Sequence, residues 1–101
     1  MGATSDQLQK AVTKTDQELN ILAEEVAAFR LLSHRARQSQ SLPVPLPDGH
    51  FTTAYTPPDE PTAQMFDRLA DLHRQRMELV KWRRSQLLDE LSTALVIENG
   101  E

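Results

Sequence analysis

Two long stretches of the chain place apolar residues at alternating steps of four and three. From Pro61 to Ile97 the series is Phe66, Ala70, His73, Met77, Val80, Arg84, Leu87, Leu91 and Ala94. That spacing lines up one seam along an α-helix. Leu69, Leu72, Leu79, Leu88 and Leu95 lie beside the seam and widen it to roughly half the helix circumference, more than a strict two-stranded coil uses. The first stretch repeats the pattern with Leu8, Val12, Thr15, Leu19, Leu22, Val26, Phe29, Ser33 and Ala36. Its start at Thr4-Ser5-Asp6-Gln7 has the form of a capping box. Small or polar residues at Thr15, Ser33 and Ala36 either allow close backbone approach or mark loosening. Ile21, Ala28 and Leu31 fall off the first seam, and a two-helix unit alone leaves them facing water.

Between the helices the pattern changes. All six prolines fall from Pro43 to Pro61, and Leu42-Pro43-Val44-Pro45-Leu46-Pro47 alternates apolar residues with proline. Proline at every second position excludes a helix and favours extended chain. Asp48-Gly49 is a turn signal, and Phe51-Thr52-Thr53-Ala54-Tyr55 reads as extended. Two arrangements fit: an irregular hairpin turning at Asp48-Gly49, or a linker that packs over the helix ends. Prolines cannot donate to a ladder, which favours the linker. Thr56-Pro57-Pro58-Asp59-Glu60-Pro61 suits a helix start, and Asn99-Gly100 a left-handed helix stop.

The expected fold is therefore all-α: one domain over 1–101, with helices over about 5–39 and 60–97 joined by a proline-rich loop over about 41–58. The helices form an antiparallel hairpin or coiled coil. Charge agrees, since Arg30, Arg35 and Arg37 then approach Asp59, Glu60, Asp67 and Asp71, and Lys10 and Lys14 approach Asp89 and Glu90. The helix–helix core is assigned to Leu19, Leu22, Val26, Phe29, Phe66, Met77, Val80, Leu87 and Leu91.

With 101 residues, no cysteine and a net charge of −4, the chain has no route to disulfides or thiolate metal sites. It also has no general attraction to nucleic acid or anionic membrane. No secretory signal is visible, and position 6 is Asp where an acylation signal beginning at Gly2 requires Ser or Thr. No apolar run nears the roughly 20 residues of a membrane span. A soluble, intracellular protein is expected.

The search for chemistry comes back nearly empty. His34, His50 and His73 form no ligand pattern, and Glu24-Glu25 and Asp89-Glu90 point apart on a helix. No glycine-rich phosphate loop is present. No catalytic, metal or cofactor site is expected, and no enzyme. Lys81-Trp82-Arg83-Arg84 is the distinctive stretch: a tryptophan off the apolar face, flanked by cations, suits a protein interface. Arg84 lies in the seam itself, where its guanidinium either forks onto a carboxylate of another chain or snorkels to water. Trp82, Arg83, Arg84, Arg76, Ile21 and Leu31 are the expected partner interface.

Helix, extended insert with a turn, helix resembles the outline of a β-type prefoldin subunit across nearly the whole chain, with a proline-dense insert in place of that family's apolar one. Helical-hairpin proteins of type VII secretion are similar in size and outline, but their Trp-x-Gly turn is missing. Neither likeness carries a residue motif. The expected function is a non-enzymatic coiled-coil subunit, structural or adaptor-like, that self-associates or completes a hetero-oligomer. The alternatives are a prefoldin-like holder of unfolded chains and, less favoured, a nucleic-acid adaptor using the basic middle of the second helix.

Overall fold

The computed structural model describes residues 3–100; Gly2, on which the acylation reading turned, lies outside them. Helix α1 spans Ser5–Ala36, strand β1 Gln40–Pro45, strand β2 Phe51–Thr56 and helix α2 Glu60–Asn99. The helices run antiparallel, as cross-helix pairs show: Ser5 meets Glu98, Asp16 meets Arg84 and Ser33 meets Asp67. The particle is a rod of 87 × 25 × 16 Å. No described helix is long and apolar enough to cross a membrane.

Local chemistry sets the helix ends. At the start of α1, Thr4 and Gln7 form the reciprocal capping box, with Gln7 N–H donating to Thr4 Oγ1 at 3.3 Å and Thr4 N–H to Gln7 Oε1 at 3.0 Å. At the start of α2, Asp59 accepts from the Thr62 N–H at 3.1 Å and the Thr62 hydroxyl at 2.6 Å. Pro61 stands in the first turn, where its missing donor costs nothing. The far end differs from expectation: Gly100 has φ −83°, so α2 ends without a left-handed residue.

Every position of both seams is buried or half-buried. The deepest apolar side chains are Leu8, Leu22 and Val26 from α1 and Ala63, Ala70 and Val80 from α2. The small polar residues do not loosen the seam. Thr15 and Ser33 are both buried, and their hydroxyls donate to the Val12 carbonyl (2.6 Å) and to Asp67 Oδ1 (2.5 Å). Phe29 stacks on Phe66 with ring centroids 6.3 Å apart and meets the His73 ring edge-on at 5.0 Å.

The fold is not purely α, and the connection is not a proline-rich loop. β1 and β2 pair antiparallel, from Gln40 opposite Thr56 to Pro45 opposite Phe51. Pro47-Asp48-Gly49 makes the turn. Gly49 N–H donates to the Leu46 carbonyl (3.1 Å), Leu46 N–H to the His50 carbonyl (2.7 Å), and Gly49 sits at φ +88°. This is a three-residue hairpin loop, with proline at the second position of the Leu46–Gly49 turn and a left-handed glycine closing it.

The prolines do not spoil the ladder, for a reason of parity. In an antiparallel pair, successive residues alternately face the partner strand and face away with their N–H and C=O groups. The Leu46–His50 bond puts Val44, Leu42 and Gln40 in the inward set. Pro43 and Pro45 fall in the outward set, where a missing N–H breaks no bond between β1 and β2.

Candidate interaction surface

The hairpin of helices has two unlike flanks. Asp16 and Glu18 leave α1 about 200° apart, so the bridges they form lie on opposite sides of the interface. Asp16 Oδ1 accepts from Arg84 Nε at 2.6 Å, and Glu18 Oε1 accepts from Arg76 Nη2 at 3.0 Å. Beside the second bridge, Glu25 contacts His73 Nε2 at 2.6 Å, and His73 Nδ1 lies 2.8 Å from the Leu69 carbonyl.

The Glu18–Arg76 flank carries a row of exposed apolar side chains. Leu72 and Leu79 stand one turn either side of Arg76, and Ile21 stands one turn beyond Glu18. The cross-helix pairs set Ile21 level with Leu79, and Ala28 level with Leu72. Ile21 is 55 % exposed, Leu72 58 % and Leu79 62 %. Met65 continues the row one heptad before Leu72. Trp82, 65 % exposed, lies one turn on from Leu79 at the outer rim. Arg83 is exposed on this flank and bridges no carboxylate among the described residues.

Four of the six expected interface residues, Trp82, Arg83, Arg76 and Ile21, thus share one flank, whereas Leu31 is exposed on the back of α1, about 140° around the helix from Glu18. Arg84 is not on that flank either. It is half-buried and turned to the opposite side, where the carboxylate it meets belongs to its own chain. The Met65 row was readable in sequence from its seven-residue spacing, parallel to the seam.

A polar staple closes the rod next to the β-hairpin. Arg37 donates through Nε and Nη2 to Glu60 (3.1 and 3.0 Å), through Nη2 to Asp67 (2.7 Å) and through Nη1 to the Ser33 hydroxyl (2.8 Å). Asp59 N–H donates to the Ala36 carbonyl at 2.6 Å. Of the charge matches expected between the helices, Arg37 with Glu60 and Asp67 forms, whereas Lys10 and Lys14 form no ion pair among the described residues.

Hydrogen bonds from Arg37 hold the Glu60 carboxyl below the usual carboxylate range; those from Arg37 and then Ser33 do the same for Asp67. The Thr62 hydroxyl and N–H lower Asp59 likewise. Groups with a lowered folded pKa stabilise the fold fully above their unfolded values near about 4, and the contribution is lost as pH falls through the folded values. Thermal melts followed by circular dichroism should therefore give a lower Tm at about pH 3 than at pH 6. In Arg37→Ala that difference should shrink. The effect is small, because these side chains are solvent-screened.

A shallow hollow runs along the outer face of α1 between Asp6 and Gln17, lined by that helix only. No cluster of His, Cys, Asp and Glu suited to a metal occurs among the described residues. Compared with protein-family models, curated proteins and solved structures, the chain matches none.

Proposed function

We propose that the chain is a non-enzymatic coiled-coil subunit, structural or adaptor-like, that associates with other protein through its apolar flank. The observation that carries this reading is the row Ile21, Leu72, Leu79 and Trp82, each more than half exposed, on one side of the rod outside the Glu18–Arg76 bridge. Contiguous apolar surface of this kind is uncommon on monomers. Trp82 beside Arg83 and Arg76 gives the rim an aromatic and cationic character typical of interface hot spots. The partner reads helix faces, and no bound cofactor is required.

The test is absolute mass by light scattering on the purified chain, followed by pull-down of unlike partners if the mass is that of one copy. The double variant Leu72→Glu/Leu79→Glu should lose at least tenfold in association while circular dichroism stays unchanged, since both residues face solvent in the hairpin. If the double variant associates as the parent does, the flank is not the docking face.

A further inference from the structure

The β-hairpin offers an assembly surface separate from the helical flank. All twelve strand residues are exposed, and neither strand packs against a helix. A two-stranded hairpin alone is marginal in water. Phe51 and Tyr55 are 70 % and 73 % exposed, and neither strand contains a charged residue.

Its two outer edges are opposites. The parity that spares the ladder puts Ser41, Pro43 and Pro45 on the outer edge of β1, where two of the three outward residues have no N–H for a further strand to accept from. By the same alternation, Phe51, Thr53 and Tyr55 direct their N–H and C=O groups away from β1. Among the described residues, none of these three N–H groups donates to a turn carbonyl or a side chain. The β2 edge carries none of the usual protections against strand pairing: no lysine, no proline and no bulge within Phe51–Thr56.

We propose that this edge pairs with the same edge of a second copy of the chain. A two-fold axis at Thr53 sets Thr53 opposite Thr53 and Phe51 opposite Tyr55 of the other copy. All three are outward-directed residues, so the strands exchange backbone hydrogen bonds in register. Their side chains share one face, giving an aromatic cross-strand pair at each end of the new ladder. Neither strand contributes a charge that would repel the second copy. The result is a four-stranded sheet in the order β1-β2-β2-β1. Each of its outer edges then carries Pro43 and Pro45, which disfavours the addition of a third copy. The inference shares with the proposed function only the premise that the chain associates, and it assigns a different surface.

Thr53→Pro tests it, because proline at an outward position removes no bond within the hairpin, as Pro43 and Pro45 demonstrate. Light scattering should show the mass of the assembly halved, with self-association weakened about tenfold or more and helicity retained. Thr53→Cys supplies a second readout in a chain without cysteine. Its two copies would lie about 5.5 Å apart between Cα atoms, within disulfide reach. Oxidised glutathione should cross-link it much faster than Ala54→Cys. A parent chain that stays monomeric to millimolar concentration overturns the inference and leaves the flank reading standing for an unlike partner. An oligomer that survives Thr53→Pro but falls apart in Leu72→Glu/Leu79→Glu also overturns it, while supporting the flank.

Discussion

Val80→Asp is expected to abolish the helical signal at neutral pH. Val80 is one of six buried apolar side chains among the described residues and lies mid-helix, where α1 covers it. The substitution removes its buried methyl groups and sets an unpaired carboxylate in their place. Losses of this kind are on the order of 4 kcal/mol or more. Domains of ordinary size are stable by only about 5–15 kcal/mol, and a two-helix core belongs at the lower end. Far-ultraviolet circular dichroism reads the outcome. Leu87→Asp, at a half-buried position, should act in the same direction with a smaller effect. A fully helical Val80→Asp chain at room temperature would mean that the two helices do not depend on each other.

Ala70→Leu is the second large effect, and its sign runs against coiled-coil habit. Leucine at a seam position ordinarily strengthens a coil, and its helix propensity is close to that of alanine. Here Ala70 is nearly sealed by the opposing helix, as is Ala63 one heptad earlier. The added side chain must push the helices apart or take a strained rotamer, costing about 1–3 kcal/mol. For a chain of this size the melting temperature should fall by roughly 4–8 °C per kcal/mol. A rise in melting temperature would show spare room at Ala70 that the close helix approach denies.

The helices were legible because their information is local and repeated. A seam sustained from Leu8 to Ala36 and from Phe66 to Ala94 leaves one face to bury, and Thr4 with Gln7 marks one boundary. The β-hairpin was less legible because its decisive feature is which way each N–H points. The same prolines that argued for a linker fit a ladder once the turn at Pro47-Asp48-Gly49 fixes the parity. The Pro-Asp-Gly run itself was the stronger signal, since it suits a three-residue hairpin loop. At the candidate surface, Ile21 and Trp82 could be placed outside the seam from helical spacing alone. Arg84 could not be placed, because its partner Asp16 is distant in sequence and the seam pattern is silent about which side of it a long side chain leaves. Nothing near Glu18 or Asp16 in sequence foretells that their carboxylates emerge on opposite flanks and take different arginines.

The rod shape has a consequence for how the molecule moves through solution. Its radius of gyration is 23.8 Å, against about 13 Å for a compact chain of this length. A single copy therefore tumbles slowly and drags like a much heavier sphere. On a sizing column it elutes early, in the range where a compact dimer or larger particle would run. Elution volume alone would report self-association in a chain that had none.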